Sequence, residues 1–313
     1  MPDPSTLDPQ VQPIIDLFRA YQESSPSVWD VSPDELRRSY SASNAATPPG
    51  PELVTVRDLE VPGAVGKIGA RLYCAGDDPA GRPAIVFFHG GGHCIGDLDS
   101  HDAVCRHQAD RTGATVLSVD YRLAPEHPFP AAHDDAVAAT RWVCGHHDSV
   151  ALLGDSAGGN LVATVALALR ADDSSPIAAQ AMVYPAVDVR SEHPSVVDNA
   201  EGWMLTAEQM RWFAHHYLGA DPSPERRADP RVSPLAAGDL SGLPPALIVT
   251  AGFDPLRDEG DAYAAALEAA GVEVEHHRFP GMIHTFFNLI GFIDEAERAH
   301  ALTADFLRRH LGL

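Results

Sequence analysis

The 313 residues carry 22 Lys and Arg against 44 Asp and Glu, a formal charge of −22, which argues against nucleic acid and anionic membrane as partners because both would repel it. Hydrophobic residues make up 45% and charged residues 21%, the balance of a soluble globular chain long enough to bury a full core as one large domain or two small ones. No apolar run approaches the ~20 residues that span a bilayer. Met1-Pro2-Asp3-Pro4-Ser5 lacks the basic and apolar regions of a signal peptide, and Cys74, Cys94, Cys105 and Cys144 lack metal-site or disulfide spacing, so the expectation is a cytoplasmic protein with reduced thiols.

Residues 9–24 place Val11, Ile14, Ile15, Phe18 and Tyr21 at helical spacing, with Pro13 in the first turn, where its missing N–H costs nothing. A second short helix starts at Ser32-Pro33. Pro48, Pro49, Gly50 and Pro51 then break the chain, and residues 1–45 read as an appendage outside the main sheet. From 52 to 75 the pattern is β: Ile68, Ala70, Leu72 and Cys74 alternate with Gly69, Arg71 and Tyr73, as in a half-buried strand. Ala84-Ile85-Val86-Phe87-Phe88 is apolar throughout, the mark of a parallel strand covered on both faces. Helices and strands alternate from there. Helix 99–111 is followed by strand 114–120, helix 133–146, strand 149–154, helix 157–171 and strand 178–184. Strand 245–251, helix 257–270, strand 272–278 and helix 292–310 complete the series. This alternation predicts a mostly parallel sheet with helices on both faces and an antiparallel edge contributed by the first strands. Between 186 and 243 it lapses; a helix there starts at the capping box Thr206-x-x-Gln209 and ends at Gly219. This insertion and residues 1–45 are expected to form a lid over the C-terminal edge of the sheet.

Two motifs sit at strand ends. Val150-Ala151-Leu152-Leu153 runs into Gly154-Asp155-Ser156-Ala157-Gly158 and then a helix. That is the context of a nucleophile elbow, in which the serine stands on a tight, strained turn that only glycine neighbours can accommodate. The pentapeptide alone arises by chance about 0.1 times per chain of this kind, so its surroundings decide. After the apolar strand at 84–88 comes His89-Gly90-Gly91-Gly92, a loop bare of β-carbons whose N–H groups can converge on an anion. Gly91 and Gly92, with Ala157 on the elbow side, are the candidate oxyanion donors; each is worth about 3 kcal/mol to such a site. His89 reads as a residue holding that loop rather than as a base.

A serine needs a base, and 16 histidines leave position to choose it. In this kind of fold the acid follows the nucleophile and the base follows the acid, each on a loop after a strand. Asp254 follows the strand Ala246–Thr250, and His284 follows Pro280-Gly281-Met282-Ile283. His276 and His277 fall within a strand, His300 and His310 on the last helix, and His215 and His216 on the lid. Asp258 reads as a first-turn helix carboxylate. Nothing has the spacing of a zinc site such as His-Glu-x-x-His, and no cofactor is expected.

Taken in order, His89-Gly90-Gly91-Gly92 with Gly96-Asp97, Tyr121-Arg122-Leu123-Ala124-Pro125-Glu126, Gly154-Asp155-Ser156-Ala157-Gly158-Gly159, Tyr184-Pro185 with Asp188, Asp254-Pro255-Leu256-Arg257-Asp258, and Gly281 to His284 resemble the hormone-sensitive-lipase-like family of bacterial carboxylesterases, within the α/β-hydrolase fold. The resemblance runs from about residue 50 to the C-terminus. It implies Ser156 as nucleophile, His284 as base and Asp254 as orienting acid, acting on short-to-medium acyl esters of small molecules. It implies an N-terminal helical cap segment at 1–45, and a catalytic domain at 46–313 with a cap insertion at about 190–230. Relatives are often dimers, so a homodimer is open to the chain, although no interface can be read from it. His93-Cys94 departs from the bulky apolar or aromatic residues usual after the glycines, either reshaping the pocket or merely repacking it. A receptor with a dead triad would not need His284; amide or lactone hydrolysis by the same three residues stays open.

Overall fold

A computed structural model describes residues 3–44, 47–172, 175–190 and 192–313; the boundary expected between 45 and 46 lies outside the described residues. The strands are β1 Thr55–Pro62, β2 Lys67–Cys74, β3 Ala84–Phe88, β4 Thr115–Val119, β5 Val150–Asp155, β6 Ile177–Val183, β7 Ala246–Phe253 and β8 Val274–Ile283. The helices are α1 Gln12–Ser24, α2 Pro33–Asn44, α3 Asp102–Thr112, α4 Ala131–Cys144, α5 Ala157–Leu169, α6 Pro194–Asp198, α7 Ala207–Leu218, α8 Pro224–Arg227, α9 Arg257–Ala269 and α10 Asp294–Leu311. The strands form one sheet in the order β1-β2-β4-β3-β5-β6-β7-β8. β1 and β2 supply the antiparallel edge, and the other neighbours run parallel.

Every residue of β3, β5 and β7 is buried, because alternate side chains feed two cores. Val86, Leu152 and Ile248 pack with Leu161 of α5 and Tyr263 of α9 on one face. Ile85, Leu153 and Val249 pack with Val104 of α3 and Phe306 of α10 on the other. Each such side chain contributes about 2 kcal/mol on burial, and the two-sided demand is what erases alternation from the sequence.

The last strand is longer than its apolar pattern predicts. It continues past Arg278 to Ile283, which pairs with Phe253 beyond a register shift. Pro280 fits inside it because β8 is the sheet edge, where one row of N–H groups meets no neighbouring strand. The residues expected to be a loop before His284 are therefore the end of a strand. In the insertion, the predicted helix is α7, and both bonds of its capping box are present. The short α6 and α8 beside it carry too few residues to show a period.

From β3 the chain crosses to β4 on one side and returns to β5 on the other. Such a reversal opens a crevice at the carboxyl ends of the strands. There α5 crosses the end of β3 so closely that a β-carbon on Gly158 would collide with the Phe88 carbonyl oxygen. Gly158→Ala is expected to cost about 3 kcal/mol or more by overpacking, read as a lower urea midpoint at unchanged slope; a variant as stable as the parent would mean that the crossing is slack.

Candidate active site

Ser156 is both the last residue before α5 and the tip of the turn from β5. Its backbone stands at φ 55° and ψ −118°, a strained conformation for a residue with a side chain. Three bonds hold it there: its N–H donates to Val183 O at 2.9 Å, and its carbonyl accepts from Ala186 N at 3.1 Å and Asn160 N at 3.1 Å. Its Oγ lies 3.0 Å from His284 Nε2, and His284 Nδ1 lies 2.7 Å from Asp254 Oδ2. Asp254 Oδ1 accepts from Leu256 N at 2.8 Å. Ser156, His284 and Asp254 are 9%, 4% and 0% exposed respectively, so exposure falls along the chain of bonds from the cavity inward. The ring of Tyr184 lies against the imidazole, with centroids 4.6 Å apart.

The glycine loop turns beside them. Cys94 N and Ile95 N donate to Gly91 O at 3.0 and 2.9 Å. Among the described residues the N–H groups of Gly91, Gly92 and Ala157 find no acceptor, and all three residues line the same cavity as Ser156. Gly92 has φ +59°, and a β-carbon there would strike the Phe213 ring. Gly90 N, by contrast, donates to Asp155 Oδ1 at 2.9 Å. Burial alone would raise the Asp155 carboxyl, but His101, 3.3 Å away, and the Gly90 bond more than offset this and hold it below the usual carboxylate value. His89 is fully buried, its ring stacked on Tyr121 at 4.3 Å. Burial pushes its pKa down to about 4, so it is a neutral prop at physiological pH.

The cavity holds about 620 Å³. Phe18 and Tyr21 of α1, Leu36 of α2, and Phe213 and Tyr217 of α7 line it together with Ser156 and His284. No Lys or Arg lines it among the described residues. Nor is any group of three or more His, Cys, Asp and Glu side chains there arranged to hold a metal ion.

The rival histidines lie elsewhere: His276 and His277 on β8, His300 and His310 on α10, and His215 and His216 on α7. Asp258 sits in the first turn of α9, paired with Arg257 at 2.7 Å and accepting from Ser195 N at 2.8 Å. Several contributors escape sequence reasoning. Ser195 Oγ donates to Pro255 O at 2.7 Å and Asn199 Nδ2 to Asp254 O at 3.1 Å, so α6 and the residue that caps it brace the loop that carries Asp254. Glu259 Oε1 accepts from Val187 N and Asp188 N at 2.7 and 3.1 Å, while its Oε2 has no hydrogen-bond partner among the described residues. The only sequence signal for Glu259 is its place after Asp258, which reads as helix-dipole decoration.

The fold and these side chains define an α/β hydrolase. The sequence profile of a family described as having the alpha/beta hydrolase fold matches residues 85–288. The carboxylic ester hydrolase LipN of Mycobacterium tuberculosis is 42% identical over 302 residues, covering 92% of this chain and 78% of its own. The ethyl acetate hydrolase of Pseudomonas putida is 38% identical over 291 residues, covering 89% and 90%. Among solved structures, an α/β hydrolase from the metagenome of Lake Arreo, Spain, matches with a TM-score of 0.91 at 36% identity, covering 99% of this chain and 100% of that one. The chain belongs to the hormone-sensitive-lipase-like ester hydrolases of this superfamily.

Burial, with the Asp188 and Asp254 carboxylates nearby, raises the Glu259 carboxyl well above its ordinary 4.5, more than its two amide bonds lower it. A group whose folded pKa is raised stabilises fully below the unfolded value and loses that contribution as pH rises through the folded one. Stability should therefore decline from about pH 4.5 upward through this group. Glu259→Gln, which keeps the acceptor for both N–H groups, should remove that part of the decline. Urea midpoints against pH for both proteins check it, and parallel curves would contradict it.

Proposed function

We propose that this ester hydrolase acts through an acyl-enzyme on Ser156, with His284 as base, Asp254 as orienting acid, and the N–H groups of Gly91, Gly92 and Ala157 as oxyanion donors. The observation that carries the reading is the unbroken pair of contacts from Ser156 Oγ to His284 Nε2 at 3.0 Å and from His284 Nδ1 to Asp254 Oδ2 at 2.7 Å. In the first half-reaction Ser156 Oγ attacks the ester carbonyl while His284 Nε2 takes its proton. The carbonyl oxygen becomes an oxyanion facing the three unpaired N–H groups, and His284 then protonates the departing alcohol. Water repeats the sequence on the acyl-enzyme, and the acid leaves with Ser156 restored. Asp254 stays ionised, fixing the tautomer in which Nδ1 carries the hydrogen. Its second oxygen is engaged by Leu256 N, so only Oδ2 is free to face the imidazole.

The substrates are neutral esters with short-to-medium acyl chains. A cavity of about 620 Å³ lies in the range that encloses a small-molecule ligand, and its apolar walls favour hydrocarbon. With no Lys or Arg along it, an acyl chain ending in carboxylate would enter without a counter-charge. Residues 1–45 and the insertion at about 190–230 act as the cap over this cavity; α1, α2 and α7 each supply lining residues.

Ser156→Ala should lower kcat on p-nitrophenyl butyrate by about ten-thousand-fold or more with an unchanged melting temperature, and a serine-directed phosphonate should map to the peptide containing Ser156 in the parent alone. Retained turnover in the variant would overturn the assignment. In a chain-length series, kcat/KM should peak at short-to-medium acyl groups, and a terminal carboxylate on the acyl chain should depress it by about tenfold or more.

A further inference from the structure

Helix α2 reaches past the cavity to the glycine loop. Arg37, Tyr40 and Ser41, three and four residues apart and so on one face of the helix, meet the chain that follows the glycines. Arg37 Nε donates to Cys94 O at 2.8 Å, and Arg37 Nη2 donates to Ala124 O at 2.8 Å. The guanidinium also grips Glu126, with Nη1 2.9 Å from Oε1 and Nη2 2.7 Å from Oε2. Ser41 Oγ donates to Asp97 Oδ2 at 2.8 Å, and the Tyr40 ring lies 6.4 Å from that of His101.

The two carbonyls that Arg37 binds are themselves tied to the loop. Cys94 closes the turn that begins at Gly91, and Ala124 N donates to His93 O at 2.9 Å. One guanidinium thus completes a ring of bonds through Ala124, His93 and Cys94. Three consecutive glycines give the loop little stiffness of its own, so its orientation depends on what is fastened to its far end. The exposed part of this cluster is the pair with Glu126, whose side chain is 51% exposed, and a solvated pair of this kind contributes little. The carbonyl bonds are the part that restrains the loop. A planar fork serves two carbonyls and a carboxylate at once, which an ammonium cannot.

We propose that Arg37 is a positioning residue for the oxyanion loop: the N-terminal helix that covers the cavity also sets the direction of the Gly91 and Gly92 N–H groups. This rests on the serine mechanism proposed above. It makes α2 part of the machinery that stabilises the transition state, not only a wall that selects substrate.

The test compares the parent with Arg37→Ala and Arg37→Lys on p-nitrophenyl acetate and octanoate, together with binding of a trifluoromethyl ketone that adds to serine as a tetrahedral hemiketal. The expected result for Arg37→Ala is a fall of about tenfold or more in kcat on both esters, with KM for the acetate little changed. Affinity for the ketone should fall by the same factor as kcat/KM, and Arg37→Lys should lie between. A variant that keeps kcat and ketone affinity and raises only KM for the octanoate has lost a wall contact, and the proposal falls. If Arg37→Ala does not fold by circular dichroism, Arg37→Lys decides: unchanged kcat and ketone affinity overturn the proposal. Failure of the parent itself to form the hemiketal on Ser156 overturns the serine mechanism instead, and this proposal with it.

Discussion

The constraint on which the rest depends is the contact between the end of β3 and the start of α5, where only hydrogen at Gly158 leaves room for the Phe88 carbonyl. That approach presses the helix onto the sheet and leaves the intervening residue, Ser156, no ordinary backbone conformation. The same closeness sets the distance between the turn carrying Ser156 and the loop that leaves β3 at His89. Reach across the crevice is therefore fixed by backbone packing before any side chain is chosen. The strain at Ser156 is held by bonds to Val183 and Ala186 on the β6 side, opposite the Gly158–Phe88 contact on the β3 side.

Three buried carboxylates within this region show how differently one group can be held. Asp254 is engaged on one oxygen by a backbone N–H and on the other by His284. Asp155 gains from His101 and the Gly90 amide enough to stay below its ordinary pKa despite total burial. Glu259 has two amides on one oxygen and nothing on the other, and burial wins. The difference between Asp155 and Glu259 follows from their partners: a buried carboxylate is held below its ordinary pKa only when facing charge and hydrogen bonds together outweigh the lost hydration. Of the three, the first faces the His284 imidazole, the second anchors the glycine loop, and the third ties the Val187-Asp188 segment to α9.

How much of this could be read from the chain depends on whether the signal is local. β3 and β5 are legible because burial on both faces writes an unbroken apolar run, and the elbow is legible because strain demands glycine at fixed offsets. Asp254 and His284 are found at their strand ends, and the structure brings both within hydrogen-bond range in the predicted order, although His284 leaves a strand and not a loop. That difference comes from Pro280, a breaker in any central strand and harmless at an edge. The braces were illegible for another reason. Arg37, Ser195 and Asn199 act on backbone carbonyls far along the chain, such as those of Cys94, Pro255 and Asp254, and a carbonyl carries no residue identity. No pattern of side chains announces such a bond.

The same distinction explains the departure at His93-Cys94. In place of a bulky apolar side chain the loop carries a flat imidazole, and α7 offers it a flat partner. The rings of His93 and Tyr217 stack with centroids 4.0 Å apart and 7° between planes. Burial drives the His93 pKa down to about 3, so the stack is neutral, and neither His93 Nε2 nor the Tyr217 hydroxyl has a hydrogen-bond partner among the described residues. Cys94 tucks its thiol toward Phe213 O at 3.9 Å, beneath the residue whose ring covers Gly92. The substitution is thus absorbed by the insertion and not by the sheet. Since Arg37 fastens the same loop from α2, both α2 and α7 bear directly on Gly92 to Cys94. Each helix meets the loop directly, α7 through Phe213 and Tyr217 and α2 through Arg37, without an intervening strand.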